Sequence, residues 1–442
     1  MSTTKIIVLD DDPTGSQTVH SCLLLTRWDE ATLREALHDA APLFFILTNT
    51  RGLDATQAAQ VTREVCRNLR AVLDIMQREG HAIHPLIVSR SDSTLRGHYP
   101  VETDVISQEL GPFDAHFLVP AFFEAGRVTR DSVHYLRVDN EWVPVHQTEF
   151  ARDSLFAYQH SYLPDYVEEK TQGRIRSSEV QRFTLTEVRG DIRARLRTLS
   201  GNVCCVVDAE QQSDLDHFSA ALKDTVAAHG KRFLFRSAAS LLTSLAQLPP
   251  QPVRAEQMGQ WTRAGKPGAV IVGSHVAKTT AQLHSLLQQP GTAGIELDVD
   301  RVPGERAAVL DAALQSIAVH HRDGLTSVVY TSRVERNFAT PGERLAFGAQ
   351  VSSVLMDIVQ HLPRDLGFLI SKGGITSNDT LSTGLALRTA RLLGQVLPGV
   401  SMVRCPADHP RYPHLPVVIF PGNVGDENAL ASVYNRLSQP TL

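Results

Sequence analysis

The chain has 442 residues, too many for one ordinary hydrophobic core, so we expect two domains. With 42% hydrophobic and 21% charged residues, the composition is that of a globular protein and excludes a disordered or fibrous one. The net charge of −5, without any basic block, argues against nucleic acid as a partner, and no apolar run reaches the roughly 18 residues of a membrane helix. The 5 cysteines form no C-x-x-C pair and follow no secretory leader, so we expect a reduced, cytoplasmic protein. The sequence is compatible with a homo-oligomer.

In the first half of the chain, short β-branched and aromatic runs alternate with longer helix-patterned stretches. This alternation is typical of βαβ units and predicts a mostly parallel sheet flanked by helices. A less regular stretch at 138–182 is interpreted as an insertion or cap rather than core. The predicted strands are Lys5–Leu9, Leu43–Leu47, Leu86–Val88, His116–Val119, Val203–Val207 and Arg232–Phe235.

Clustered prolines at Leu248–Val253 predict a linker, because proline extends neither a helix nor a central strand. The strand pattern then restarts at Gly268–Val272, which predicts a second α/β domain. The predicted divisions are a first domain at 1–247, a linker at 248–258 and a second domain at 259–442. Glycine loops in the second domain precede three predicted helices, Thr280–Gln288, Leu381–Leu393 and Glu427–Leu437.

The loops after the predicted strands are the candidate binding segments, because ligands of an open parallel sheet bind at the carboxyl ends of its strands. In the first domain these loops carry acids, arginines and hydroxyls. A guanidinium offers a flat fork to a carboxylate, and the neighbouring acid and hydroxyl groups suit sugar hydroxyls, so we expect a small polyhydroxy acid. The alternative is that two of the arginines only neutralise the aspartate between them. The residues concerned are Arg51, Arg90, Asp92, Ser93, Thr94, Arg96 and Arg127.

In the second domain the corresponding loops carry glycine and hydroxyls, at Gly273 and Ser274, at 371–377 and at 421–425. Glycine lets backbone N–H groups approach an anion, and a following helix directs its positive end toward it, so these loops favour a polyphosphate ligand. Simple turn chemistry is the alternative. The chain has no G-x-x-x-x-G-K-[ST] motif and no G-x-G-x-x-G after its first strand. Its 18 histidines lack a compact ligand spacing, so we expect no dedicated metal site, only Mg²⁺ carried with a nucleotide.

Asp10, Asp11 and Asp12 directly follow the first predicted strand, and like charges placed together there indicate a site. The spacing Asp10, Asp12 and Thr14 matches haloacid-dehalogenase-like phosphatases, in which the first aspartate is a nucleophile and the second an acid/base. In a second interpretation, one aspartate accepts a proton from a substrate hydroxyl while the other domain holds a phosphoryl donor. A third has Asp12 merely capping the next turn.

Several separated motifs, in order along nearly the whole chain, resemble the four-carbon acid sugar kinases, which include D-threonate, D-erythronate and 3-oxo-tetronate kinases. The motifs D-D-x-T-G, D-S-T-x-R-G and P-A-F-x-x-x-G-R are similar to segments 11–15, 92–97 and 120–127. In the second half, G-S-x-S-x-x-T-x-x-Q, G-G-x-T and G-N-x-G are similar to segments 273–282, 373–376 and 422–425. Ile375 stands where many relatives have glutamate, and Phe420 and Pro421 stand where they have lysine and serine.

The resemblance implies two α/β domains with the active site in the cleft between them, and ATP-dependent phosphorylation of the terminal hydroxyl of a four-carbon sugar acid. It implies Asp12 as the base, with the acid bound by Asp11, Arg90, Asp92, Ser93, Thr94 and Arg96, to which Arg51 and Arg127 are added as candidates. ATP is expected at Ser274, Gly373, Gly374, Ile375, Thr376, Gly422, Asn423 and Gly425, with charge supplied by Lys372. The alternatives are the phosphatase and a sugar-acid-binding protein without catalysis.

Overall fold

A computed structural model describes residues 3–263, 265–274, 276–333, 338 and 340–438. The chain divides into two compact units, 1–249 and 250–442. Each unit is an α/β structure with a sheet flanked by helices, as the alternating sequence pattern predicts.

The first unit is built on a fully parallel sheet accompanied by a small antiparallel one. Its strands are β1 (Thr3–Asp10), β2 (Leu23–Leu25), β3 (Leu43–Leu47), β4 (Ile83–Arg90), β5 (Ala115–Val119), β6 (Arg127–Arg130), β7 (Val133–Val138), β8 (Glu141–Pro144), β9 (Gln181–Phe183), β10 (Val203–Val207) and β11 (Phe233–Ser237). The parallel order is β2-β3-β1-β4-β11-β5-β10-β9, and β6, β7 and β8 form the small sheet. The six strands predicted in this half are all present.

Helices cover the parallel sheet of the first unit and connect its strands. They are α1 (Glu30–His38), α2 (Ala55–Arg78), α3 (Val101–Leu110), α4 (Leu163–Lys170), α5 (Leu185–Val188), α6 (Arg193–Thr198), α7 (Gln212–His229) and α8 (Ala239–Ala246). The longest, α2, begins with a capping box in which the Asp54 carboxylate accepts from the backbone N–H of Gln57 at 2.8 Å. Its buried stripe, which includes Val65, Leu69 and Val72, packs on the sheet core.

The stretch at 138–182 contributes buried side chains to the first unit. Val145, Leu163, Tyr166 and Val167 pack in one cluster with Leu118 of β5 and with other residues of the sheet and its loops. The stretch is irregular in sequence, but helix α4 and the turn at Val145 still bury apolar side chains against the sheet.

The second unit combines a parallel sheet with an antiparallel extension. Its strands are β12 (Ala269–Val272), β13 (Thr292–Leu297), β14 (Thr326–Thr331), β15 (Leu369–Lys372), β16 (Thr389–Leu397), β17 (Val400–Arg404) and β18 (Pro416–Phe420). The parallel order is β13-β14-β12-β15-β18, and β17 and β16 continue it antiparallel. The helices are α9 (Ala277–Leu287), α10 (Val302–Arg322), α11 (Pro341–His361), α12 (Gly374–Asp379) and α13 (Ala429–Ser438).

The predicted helix at Leu381–Leu393 is wrong. A π-helical turn at Thr380–Gly384 follows α12, and the chain then becomes strand β16. Strand β16 pairs with β17, and the register between them shifts near Gly394. Because of this shift, the sequence of β16 lacks the regular two-residue alternation of a strand. In the described ranges, no helix combines the length and hydropathy needed to cross a membrane.

Candidate functional site

The carboxyl ends of four neighbouring strands lie level at one edge of the first unit's sheet. Asp10 at the end of β1 is in register with Leu47 of β3 and Arg90 of β4, and Arg90 is in register with Ser237 of β11. The loops that follow these strands therefore start side by side, which brings the predicted acids and arginines together.

Arg51 bridges two of the three opening aspartates. Its Nη1 donates to Asp12 Oδ2 at 2.9 Å, its Nε donates to Asp11 Oδ2 at 3.3 Å, and its Nη2 donates to Asp11 Oδ1. The side chain of Asp11 is buried, whereas that of Asp12 keeps 21% of its surface exposed. One planar cation thus holds two adjacent carboxylates that would otherwise repel each other.

Asp12 is the opening aspartate whose carboxylate remains accessible and ionised. Burial raises its pKa, but Arg51, Arg90 and two hydrogen bonds from Thr14 outweigh that effect and lower the pKa below its usual value. The Thr14 N–H and hydroxyl donate to Asp12 Oδ1 at 2.8 and 2.6 Å. Asp12 therefore caps the following turn, as one interpretation of the sequence holds, and its carboxylate is also held in a fixed orientation.

Asp10 is fully buried beneath the turn that follows it. Its Oδ1 accepts from Arg90 Nη1 at 3.3 Å and from the Asp12 N–H at 3.2 Å. Gly15 covers its other oxygen so closely that a Cβ at position 15 would lie 2.0 Å from Asp10 Oδ2. Burial raises the pKa of Asp10 to about 7, with Arg90 lowering it and Asp11 and Asp12 raising it. A carboxylate enclosed in this way cannot reach a phosphoryl group, which argues against the nucleophile of the phosphatase interpretation.

The loop at 92–97 holds its acid by local contacts. Arg96 Nε donates to Asp92 Oδ2 at 2.8 Å, and the Thr94 hydroxyl donates to the same oxygen. Burial raises the pKa of Asp92, but Arg96, Arg51 and these hydrogen bonds lower it well below the usual range. Arg96 thus neutralises Asp92, as the alternative interpretation holds, whereas Arg90 pairs with Asp10 instead.

Two guanidinium groups retain buried donor atoms. Arg127 Nη1 donates to the Ala125 carbonyl at 2.6 Å, while Arg127 Nε and Arg90 Nε are buried without a hydrogen-bond partner among the described residues. Burial lowers the pKa of Arg127. A buried guanidinium with an unused donor is suited to an anionic ligand, because the desolvated charge gains most from a partner of opposite sign.

A buried network behind these residues was not predicted from the sequence. Arg236 donates from Nη1 to Glu102 Oε2 at 2.6 Å and from Nη2 to the Ser91 hydroxyl at 2.8 Å, and that hydroxyl lies 2.6 Å from Asp11 Oδ2. Glu102 Oε1 also accepts from the Thr50 hydroxyl, beside Arg51, at 2.5 Å. An arginine inside an otherwise apolar strand run was the signal in the sequence, since buried charges are paired.

In the second unit, the loops after β12, β15 and β18 meet. A Cβ at Gly273 would lie 2.2 Å from Thr376 Oγ1, and one at Gly373, whose φ is +118°, would lie 3.2 Å from Ser274 Cβ. Gly422 is also near Ser274, because a Cβ there would lie 3.8 Å from the Ser274 hydroxyl. Glycine is required at 273 and 373 by close approach and by backbone conformation, so these predicted residues do form one cluster.

Side chains from α9 fix the third glycine loop. Gln282 Nε2 donates to the carbonyls of Val424 and Asp426 at 2.9 and 2.7 Å, and the Thr279 hydroxyl donates to the Gly422 carbonyl at 3.2 Å. Asn423 and Gly425 of this loop are exposed. Ile375, at the start of α12, is 66% exposed beside Gly374.

Lys372 lies beneath the same loop and is fully buried. Its Nζ donates to the carbonyls of Pro421 and Gly422, at 2.5 and 2.9 Å, and lies 4.5 Å from the centre of the Phe420 ring. Burial, together with the nearby charge of Lys278, lowers the pKa of Lys372 to about 7. The sequence suggested that this amine supplies charge directly to a ligand, whereas its contacts here are with the backbone of the glycine loop.

Arg333, which follows β14, is a residue of this cluster that the sequence interpretation missed. Its Nη1 donates to the Ser274 carbonyl at 2.7 Å, and its Nε and Nη2 donate to Thr331 at 2.8 and 2.7 Å. No motif marks it, because it acts on a backbone carbonyl that any residue would provide.

Two family models together cover most of the chain. A model described as a sugar-binding N-terminal domain matches residues 6–245, and one described as a nucleotide-binding C-terminal domain matches residues 269–430. A D-erythronate kinase of Heliobacterium modesticaldum is 27% identical over 309 residues, which are 67% of this chain and 63% of that relative. The match thus spans less than two thirds of the relative's length.

Solved structures of distant relatives share the fold. A Salmonella typhimurium LT2 protein described as a tRNA synthase is 19% identical, with a TM-score of 0.69 over 98% of both chains. A Haemophilus influenzae protein assigned to domain of unknown function 1537 is 16% identical, with a TM-score of 0.64 over 98% of this chain and 100% of that one. At these identities the likeness concerns the fold alone.

The raised pKa of Asp10 predicts a specific pH dependence of stability. Its folded pKa, about 7, lies above its ordinary value of 3.8, so its contribution is full below pH 4 and is lost as the pH rises through 7. Asp10→Asn should therefore become more stable relative to wild type between pH 5 and pH 8 in urea denaturation. Asp92→Asn is the control, because the pKa of Asp92 is lowered and its contribution changes only below its ordinary value of 3.8. An identical difference from wild type at both pH values for Asp10→Asn would contradict the assignment.

Proposed function

This chain belongs to the four-carbon acid sugar kinase family, and we propose that it transfers the γ-phosphoryl group of ATP to the terminal hydroxyl of a four-carbon sugar acid. In this proposal, residues 1–247 bind the acid, 248–258 are the linker and 259–442 bind the nucleotide. The observation that carries it is Asp12, an accessible carboxylate fixed by Arg51 and Thr14 at the strand edge where the sugar-binding model matches.

The acid end of the substrate suits the arginines of the first unit. We assign Arg90 and Arg127 to the substrate carboxylate, because a guanidinium offers a carboxylate a planar fork of N–H donors. Asp92, Ser93 and Thr94 are assigned to the substrate hydroxyls, since carboxylate and hydroxyl oxygens accept and donate to a polyol. Asp11 and Arg96 orient these groups through the ion pairs already described.

Asp12 is assigned to the hydroxyl that attacks. A carboxylate with a lowered pKa is ionised at neutral pH, so it accepts a hydrogen bond from that hydroxyl and takes its proton as the bond to phosphorus forms. In phosphoryl transfer most of the rate enhancement comes from positioning and charge stabilisation, so a weak but fixed base suffices.

The triphosphate is assigned to the glycine cluster of the second unit. Ser274, Gly374 to Thr376, Gly422, Asn423 and Gly425 offer backbone N–H groups and hydroxyls, which bind phosphate oxygens without a side-chain charge. Gly373, whose own N–H donates to the Phe420 carbonyl at 2.8 Å, shapes the turn. Lys372 and Gln282 support this role by fixing the loop backbone through hydrogen bonds to its carbonyls. Magnesium bound to ATP would neutralise part of the phosphate charge, and it requires only one or two protein carboxylates.

We place this reaction in the cytoplasm, where the five buried free cysteines of the chain would stay reduced.

The proposed reaction and its base are tested together. With MgATP, a panel of threonate, erythronate and 3-oxo-tetronate isomers should contain an acid that stimulates ADP release. Asp12→Asn should lower kcat by about 100-fold or more, because it removes the proton acceptor, while calorimetry still detects acid binding. Asp191→Asn, at an exposed carboxylate, should leave kcat unchanged.

Two outcomes would overturn this proposal. If no acid stimulates ADP release while acids bind tightly to wild type and Asp12→Asn alike, the chain is a binding protein. If phosphorylated acids are hydrolysed without nucleotide, it is a phosphatase.

Lys372 provides a test of the nucleotide end. Lys372→Met removes the donor to two loop carbonyls, so the loop should lose its conformation and the KM for ATP should rise about tenfold or more. The KM for the acid should stay within twofold. Lys266→Met is the matched control, because Lys266 pairs with Asp365 at 2.7 Å near the amino end of β12. An unchanged KM for ATP in Lys372→Met would contradict the assigned role.

A further inference from the structure

Three consecutive carbonyls of the 92–97 loop each accept a hydrogen bond from a buried side chain. His134 Nε2 donates to the Ser93 carbonyl at 2.8 Å, the Tyr158 hydroxyl donates to the Thr94 carbonyl at 2.7 Å, and the Tyr166 hydroxyl donates to the Leu95 carbonyl at 2.9 Å. All three donors come from residues 133–166, which no part of the proposed chemistry uses. The donors are less than 5% exposed.

The loop has a backbone conformation that needs this support. Leu95 has a φ of +67°, a left-handed conformation that a side chain with a Cβ rarely adopts. Its side chain is buried in the cluster that contains Val145, Leu163 and Tyr166. Residues 133–166 thus fix the strained residue both through its side chain and through its carbonyl.

The donor at His134 has a defined tautomer. A carbonyl only accepts, so Nε2 carries the proton, and Nδ1 accepts from the Thr129 hydroxyl at 3.0 Å. Burial lowers the pKa of His134 to about 4, so the ring is neutral at physiological pH. The ring therefore acts as a fixed donor and not as a proton-transfer group.

The aromatic rings are themselves held in place. Tyr166 stacks on Tyr99 with ring centres 6.0 Å apart and meets the edge of Tyr158 at 5.7 Å. Such pairs restrict both rings, so the two hydroxyls are presented at fixed positions before any ligand binds.

We propose that His134, Tyr158 and Tyr166 are positioning residues that hold the 92–97 loop in its acid-binding conformation, so that residues 133–166 set the affinity for the sugar acid. With the three carbonyls directed toward these donors, the side chains of Asp92, Ser93 and Thr94 are fixed relative to Arg96 before the substrate arrives. The proposal rests on the proposed function in one respect, namely that this loop binds the acid.

The first test separates affinity from chemistry. Tyr158→Phe and Tyr166→Phe each remove one hydroxyl and should raise the KM for the acid about three- to tenfold, while the KM for ATP stays within twofold. The double variant should exceed either single one. Tyr162→Phe is the matched control, because Tyr162 lies in the same stretch and its ring contacts Arg182 rather than the loop. An unchanged KM for the acid in the double variant would overturn the proposal.

The second test does not depend on catalysis. Hydrogen exchange of the peptide containing 92–97 should be at least tenfold faster in the double variant than in wild type, while the peptide of strand Ile83–Arg90 exchanges as before. Equal acceleration in both peptides would indicate general destabilisation and would overturn the positioning role. If no acid stimulates ADP release by wild type, the proposed function fails, and this measurement still decides the conformational role of the three donors.

Discussion

The candidate site of the first unit depends on one cation between two carboxylates. Asp11 and Asp12 are adjacent in sequence and would repel each other at the end of a buried strand, and Arg51 is the group that contacts both. Because a guanidinium is planar and always charged, it fixes the relative orientation of the two carboxylates as well as their charge. Thr14 contacts the other oxygen of Asp12, so both oxygens of this carboxylate are held in place.

This arrangement is supported by a network of buried polar groups. Glu102, Arg236 and Ser91 link the loops after β3, β4 and β1 through short buried hydrogen bonds. In the second unit, Lys372 and Gln282 act in the same way on the glycine loops. In both units, therefore, buried polar side chains determine where the loop backbone lies, and the ligand-facing groups follow from that.

The sequence predicted six of the eleven strands described in the first unit, because their apolar runs are a local signal, and it missed β2 and β6 to β9. It also indicated the segments that carry the chemistry, because loop composition is local too. It did not predict the direction of individual contacts. Glu102, the partner of Arg236, lies over a hundred positions away in the sequence. The hydroxyls of Tyr158 and Tyr166 donate to backbone carbonyls, which have no sequence signature. The false helix at Leu381–Leu393 arose because an irregular strand with a register shift has no clean two-residue period.

Lys372 contributes its positive charge to the glycine cluster from a buried position beneath the loop. The amine is fully buried under the loop, next to the Phe420 ring and the loop carbonyls that it contacts. Dissolved ions screen buried charges much less than exposed ones. The attraction that protonated Lys372 exerts on an anion should thus respond less to ionic strength than the attraction exerted by an exposed lysine.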